Sequence, residues 1–243
     1  MADQPTNGHK HKLVLFDIDG TLISAGRIAR DAILKSLETA YPWRAGDEHQ
    51  DRSRYDFSGK TDPQIVRDLV EAHVGKEPFE SGLPRALELY VEELARQLAP
   101  APEAVVPKPG IPQLLARLAE EPGVTLALLT GNLERGARLK LEPPKFNRYF
   151  PFGAFGSDSE DRYRLPRVAV DRAREHTGRS FSGKSVVIVG DSIHDVACGR
   201  SLGVRAVAVA TGITSPERLA AERPDALMTD FADTERAVEA ILG

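Results

Sequence analysis

A chain of 243 residues, with 32 Lys and Arg against 36 Asp and Glu and a formal net charge of −4 at pH 7, is long enough for one large core or two modest ones. The slight acidic excess and the lack of a long basic run argue against nucleic acid as a partner, and the single Cys198 excludes an internal disulfide. Residues 1–8 lack an apolar signal core and no membrane-length apolar stretch follows, so a cytoplasmic protein with a frayed N-terminus and no membrane partner is expected.

The first predicted element is the apolar run Leu13-Val14-Leu15-Phe16, which reads as a buried strand. It opens into Asp17-Ile18-Asp19-Gly20-Thr21-Leu22. A strand buried on both faces has no room for acids, so a carboxylate pair at its C-terminal end belongs in the crevice where open parallel sheets bind ligands. Acids this close repel each other unless a cation or a shared proton compensates, which suits Mg²⁺ binding, nucleophilic catalysis or both.

A long helical stretch follows. Ile28, Ala29, Ala32, Ile33, Ser36, Leu37 and Ala40 form one stripe of helical period. Asp62 before Pro63 reads as an N-cap with Pro at the first helical position, and Ile65, Val66, Leu69, Val70 and His73 continue a second stripe. Leu83, Leu87, Tyr90, Val91, Leu94 and Leu98 mark a third, which runs into the Pro-rich stretch 100–110. This is far more chain than a strand crossover needs. The expected organisation is an α/β core of residues 1–23 and 107–243, with residues 24–106 inserted as a second, helical domain.

From Ile111 onward, helix and strand alternate as in a doubly wound fold. A helix over Ile111, Leu114, Leu115 and Leu118 leads to the run Val124-Thr125-Leu126-Ala127-Leu128-Leu129, which ends in Thr130-Gly131-Asn132. That ending offers a hydroxyl, an unhindered backbone N–H and an amide, donors suited to phosphate oxygens. Val168, Ala169 and Ala173 belong to another helix, and Ser185 to Val189 form a strand ending in Gly190-Asp191-Ser192-Ile193-His194-Asp195. If a helix starts here, Asp191 and Asp195 share a face near its N-terminus, where carboxylates are favoured and can cap free N–H groups. Cys198 reads as packing and His194 as a surface or supporting group. Val204 to Ala210 predict a strand after Gly203, Ser215-Pro216 opens a helix, and residues 225–228 fit a short edge strand. Strand ends carrying acid, donor and acid are what metal-assisted phosphoryl transfer requires.

With Asp17 to Thr21 as DxDGT, Thr130 as the Thr/Ser motif and Gly190 to Asp195 as GDxxxD, the chain resembles the haloacid dehalogenase superfamily over most of its length. The resemblance implies a Rossmann-like core with a helical cap of the type inserted after the first motif. It also implies a Mg²⁺-dependent phosphatase in which Asp17 attacks phosphorus and forms an aspartyl phosphate. Asp19 would act as acid to the leaving alcohol and as base for water. The Asp17 carboxylate, the Asp19 backbone carbonyl and Asp191 would hold Mg²⁺, with Asp195 orienting its shell, while Thr130, Gly131 and Asn132 bind the phosphoryl oxygens.

The family also supplies a Lys or Arg that neutralises nucleophile and phosphate between the last two motifs, yet residues 156–166 contain no lysine. Arg162 is the first choice, Arg164 the second and Lys140, in the helix expected after Asn132, the third. Gly59-Lys60-Thr61-Asp62 sets a cation at the threshold of a helix, where Lys60 and the free N–H groups would meet an anionic or polar leaving group. The same stretch resembles the phosphoglycolate phosphatase branch, which implies phosphoglycolate or another small phosphorylated metabolite as substrate. β-Phosphoglucomutase-like transfer and a non-catalytic phosphate-sensing module are the alternatives. Dehalogenase and phosphonatase chemistry does not normally use an acid at Asp19.

Overall fold

In a computed structural model, the chain is described over residues 11–41, 55–73 and 76–243; residues 1–8, which figure in the sequence reading, lie outside these ranges. The elements in chain order are β1 (Lys12–Phe16), β2 (Ile23–Ser24), α1 (Ile28–Ala40), α2 (Asp62–His73), α3 (Lys76–Leu98), β3 (Val106–Pro107), α4 (Ile111–Glu120), β4 (Val124–Leu129), α5 (Glu134–Leu141), β5 (Gly153–Ala154), α6 (Leu165–Thr177), β6 (Val186–Gly190), α7 (Ile193–Ser201), β7 (Arg205–Val209), α8 (Pro216–Ala221), β8 (Ala226–Met228) and α9 (Thr234–Leu242). Among the described residues, no helix is long and apolar enough to cross a membrane.

Among the described residues the main sheet is parallel and six-stranded, in the order β5-β4-β1-β6-β7-β8. β1 lies inside it, and its alternating side chains enter two different cores. Val14 and Phe16 pack with Leu114, Leu118 and Phe150 on one face, whereas Leu13 and Leu15 pack with Leu165, Ala169 and Ala173 on the other. This double burial is why residues 13–16 of the strand are all apolar, and why the first polar residue after them, Asp17, emerges at the carboxyl edge. β4 and β6 flank β1 and end level with it at Leu129 and Gly190. Order reverses around β1, so Asp17, Thr130 and Asp191 meet at a topological switch point.

α1, α2 and α3 pack on one another through the expected stripes, with Ile33, Leu37, Val66, Val70, Tyr90 and Leu94 buried. The chain leaves for these helices and returns from them through the antiparallel pair β2–β3, in which Ile23 faces Pro107 and Ser24 faces Val106. These strands are too short for a period to announce them.

Two local expectations are corrected. Thr61, not Asp62, caps α2: its Oγ1 accepts the Gln64 N–H at 3.3 Å, and the Asp62 carboxylate accepts the Leu133 N–H at 2.8 Å. At α7 the cap is Ser192, joined to Asp195 in a reciprocal capping box, while Asp191 stands before the helix. Asp191 and Asp195 therefore reach one site from a strand end and from a helix's first turn.

Candidate active site

Asp17, Asp191 and Asp195 are all buried, and one carboxylate oxygen from each lies within 4.8 Å of the others. A hydrogen bond holds each in place. The Asp17 N–H donates to Val189 O at 3.0 Å, Thr21 Oγ1 donates to Asp191 Oδ1 at 3.0 Å, and Ser192 Oγ donates to Asp195 Oδ2 at 2.6 Å. Gly20, at φ 91°, and Gly212 press their backbones against the Asp191 carboxylate so closely that a Cβ at either position would overlap it.

A short 3-10 turn over Arg162–Arg164 brings Arg162 into this cluster, its start capped by Asp161, which accepts the Tyr163 N–H at 3.0 Å. Arg162 Nη2 donates to Asp17 Oδ1 at 3.1 Å and to Asp195 Oδ1, while its buried Nε has no hydrogen-bond partner among the described residues. Burial disfavours the guanidinium charge, but Asp195 and Asp17 outweigh it and hold Arg162 more firmly protonated than an ordinary arginine. Arg164 does not reach the acids: its side chain is 78% exposed and pairs with Asp161 at 3.5 Å.

Even with Arg162 present, the cluster lacks positive charge. Burial, followed by repulsion from Asp195, pushes the Asp17 carboxyl well above its ordinary range, and the same two causes, in the same order, raise Asp191. Acids driven toward protonation by crowding are a fitting donor set for a hard divalent cation, and the glycine cradle around Asp191 keeps side chains away from its oxygens.

Asp19 faces a different environment, with its side chain 42% exposed at the cavity. Asn132 Nδ2 and Lys140 Nζ both donate to its Oδ2 at 2.7 Å, and Lys140 also donates to Asn132 Oδ1 at 2.5 Å. Thr130, at the end of β4, accepts Asn132 Nδ2 at 2.8 Å, so the amide expected to face phosphate is engaged with Asp19 and Thr130. Lys140 is thus the partner of Asp19 and Arg162 the partner of Asp17. The sequence reading did not foresee this division. Its signal is a lysine on the buried stripe Gly136, Ala137, Lys140 and Leu141 of α5.

The helical segment meets the core at this point. Asp62 donates its N–H to Gly131 O at 2.8 Å, Thr61 Oγ1 donates to Glu160 O at 2.7 Å, and Arg67 Nη2 donates to Glu160 Oε2 at 2.9 Å. A Cβ on Gly131 would strike the Lys60 carbonyl, and one on Gly59 would strike His194, so both glycines are required by close approach. His194 accepts or donates at Nδ1 to the Tyr163 hydroxyl, 2.9 Å away, beside the acidic cluster. Cys198 is buried, and burial pushes its thiol up to about 12, which suits packing.

Between the helical segment and the sheet edge lies a cavity of about 650 Å³ whose lining includes Asp17, Asp19, Thr130, Gly131, Asn132, Lys140, Arg162 and Asp191. Lys60 lines it too, but its ammonium is engaged: it donates to the Tyr55 hydroxyl at 2.7 Å and pairs with Asp68 at 3.0 Å.

A family model described as haloacid dehalogenase-like hydrolase matches residues 11–203. The chain belongs to this family. Within it, the chain is 28% identical over 228 residues to a phosphoglycolate phosphatase of Pseudomonas fluorescens (strain Pf0-1), covering 92% of this chain and 78% of that protein. A hydrolase from Pseudomonas syringae has a similar fold, with a TM-score of 0.68 at 18% identity over 96% of this chain and 100% of the other. The structure of CbbY from Rhodobacter sphaeroides also matches at a TM-score of 0.68, with 17% identity over 92% of this chain and 96% of the other. The haloacid dehalogenase-like assignment agrees with the α/β architecture and with the acids gathered at the carboxyl edge.

Proposed function

We propose that this hydrolase is a Mg²⁺-dependent phosphatase that cleaves a small phosphorylated metabolite through an aspartyl phosphate on Asp17. The observation that carries the reading is the pairing of a buried carboxylate cluster around Arg162 with a separate, half-exposed carboxylate, Asp19, on the same cavity. The first suits an anionic phosphoryl centre held by a cation, and the second suits proton transfer at the leaving oxygen. The phosphoglycolate phosphatases among the relatives support the same reaction class and make phosphoglycolate the first compact ester to assay.

The Asp17 and Asp191 carboxylates and the Asp19 backbone carbonyl would hold Mg²⁺, and Asp195 would orient the site through Arg162 and Ser192. When bound, the ion supplies charge neutralisation for the phosphoryl oxygens and the nucleophile. Asp17 attacks phosphorus as the bond to the leaving oxygen breaks, and Asp19 gives that oxygen a proton. Asp19 then takes a proton from the water that attacks phosphorus, the bond to Asp17 breaks, and inorganic phosphate leaves. Thr130 and the Gly131 backbone orient the transferring group. Arg162 donates to Asp17 Oδ1, which fixes the carboxylate in place and favours its ionised form against the burial that opposes it. Residues 24–106 serve as a cap over the core of residues 1–23 and 107–243, with Lys60 on its inner side.

The test is a panel of phosphate esters, including p-nitrophenyl phosphate and phosphoglycolate, assayed for both free phosphate and alcohol with Mg²⁺ and with excess EDTA. Equal release of the two products in Mg²⁺, none in EDTA, and loss of covalent labelling in Asp17→Asn are expected. Alcohol without net phosphate would mean transfer to another acceptor, as in a mutase, and full activity in EDTA would remove the metal from the reading.

A further inference from the structure

The loop that follows β4 is held from two directions. On the sheet side, the Thr130 N–H donates to Ala154 O at 3.0 Å and the Gly156 N–H donates to Asn132 O at 2.8 Å. On the other side one residue of the helical segment, Asp62, makes two more contacts: its N–H donates to Gly131 O and its Oδ2 accepts the Leu133 N–H, each at 2.8 Å. Asp62 is buried, and it brackets Asn132 from both neighbours. A trans peptide sets its C=O and N–H in opposite directions. Drawing Gly131 O toward α2 therefore turns the Asn132 N–H away from that helix, and it donates to Thr130 Oγ1 at 3.3 Å. Thr130 Oγ1 also accepts Asn132 Nδ2 at 2.8 Å. A hydroxyl whose oxygen accepts two hydrogen bonds has its proton left to give, and Thr130 lines the cavity together with Asp17. The Gly131 N–H, on the same cavity, has no hydrogen-bond partner among the described residues.

Resting on the phosphatase reading, we propose that Asp62 is a positioning residue for the phosphoryl group: its carboxylate, carried on the helical segment, fixes the backbone of residues 131–133 so that the Thr130 hydroxyl and the Gly131 N–H face the transferring oxygens. Asp62 acts through the loop and not by touching phosphorus. The helical segment thereby shapes the end of the substrate that all esters share, and not only the end in which they differ. Donors set in advance need no reorganisation as the reaction proceeds, and a misplacement of about 1 Å costs on the order of 10²-fold. The Asp62 carboxylate also feels the charge of Lys140, so the hydrogen bond and the charge have to be told apart.

The test measures kcat/KM on p-nitrophenyl phosphate and on ethyl phosphate, and inhibition by orthovanadate, an oxyanion shaped like phosphate, using the full chain with Mg²⁺. Asp62→Ala keeps the N–H that bonds to Gly131 but removes the acceptor for Leu133. It is expected to lower kcat/KM by about ten- to a hundredfold, by the same factor on both esters, and to raise the inhibition constant of orthovanadate about tenfold. An inhibition constant does not change with the folded fraction, so a merely structural role would not move it. Asp62→Asn, which still offers an oxygen to Leu133 but carries no charge, should recover most of both losses. Asp62→Leu fills the same space without an acceptor and should behave as Asp62→Ala, which keeps the comparison open if the alanine variant does not fold. An unchanged inhibition constant overturns the proposal. So does a larger loss on ethyl phosphate than on p-nitrophenyl phosphate, which would place the effect at Asp19, and so does an Asp62→Asn as impaired as Asp62→Ala, which would place it in the charge facing Lys140. Each of these leaves the phosphatase reading intact, whereas failure of the wild-type chain on every ester overturns both.

Discussion

Lys140 Nζ and Asp19 Oδ2 lie 2.7 Å apart, joining a fully buried lysine of α5 to the half-exposed second acid of the first motif. Asn132 bonds to both partners, so the three side chains form one closed unit. Removing the ammonium frees the carboxylate to swing and leaves the amide with an empty acceptor. Lys140→Met is expected to lower kcat by roughly ten- to a hundredfold, the equivalent of one charge-assisted hydrogen bond. Lys140→Arg should recover part of the loss. Steady-state kinetics of the two variants on one alkyl phosphate checks this, and unchanged kcat in Lys140→Met would refute it.

The two acids of the first motif separate by leaving group. Asp19→Asn should slow alkyl phosphates by something on the order of 10²- to 10⁴-fold, because their alkoxide needs a proton. The loss on p-nitrophenyl phosphate should be smaller, since nitrophenolate leaves unaided. Equal losses on both substrates would show that Asp19 does not act as the acid.

Arg162 is the positive charge inside the Asp17, Asp191 and Asp195 cluster. Breaking such an arrangement by removing one partner typically costs about 3–5 kcal/mol. Arg162→Met is therefore expected to unfold at lower urea concentration by an amount of that order. Added Mg²⁺ should raise the midpoint of the variant more than that of the wild type, because the ion meets a less compensated set of acids. No Mg²⁺ shift in either protein would count against a cation site at these carboxylates.

Asp62 supplies a pH signature. Burial raises its carboxyl from an ordinary value near 3.8 to about 6, although Lys140 and the Leu133 N–H act in the opposite direction. The folded protein then binds a proton that the unfolded chain releases, so stability falls as pH rises from about 4 to about 6. The full difference is about 3 kcal/mol at most. Asp62→Asn cannot titrate there. In urea unfolding at pH 4 and pH 7, the stability difference between variant and wild type should move in favour of the variant as pH rises, and a constant difference would show that the carboxyl stays ionised throughout.

The central strands were legible because each carries its burial in its composition: β1, β4 and β6 are apolar over their last four residues and are followed by Asp17, Thr130 and Asp191, and an acid at the end of a doubly buried strand has one place to go. The partners of those acids were less legible. Arg162 and Arg164 stand two residues apart with similar neighbours, and only the turn geometry sends the first inward and the second to solvent. Lys140 is 121 positions from Asp19, a separation over which no local pattern can register a contact. Thr61 and Asp62 are both competent caps, and the choice between them was made by Leu133, a residue on a different part of the chain. The lining beyond the acids was similarly hidden, since Phe57 and Ile213 look like unremarkable loop residues until the fold sets them across one cavity.

The pair β2–β3 places the departure and return of the helical detour side by side, at Ile23 with Pro107 and at Ser24 with Val106. A loop whose two ends are already zipped together can lengthen, shorten or be rebuilt without tugging on the strand that precedes it. Asp17 and Asp19, a few residues upstream, are thereby insulated from whatever variation the detour accumulates. With Asp62 kept, new leaving-group preferences can be tried on one side of that clasp while the phosphorus-handling groups on the other stay as they are.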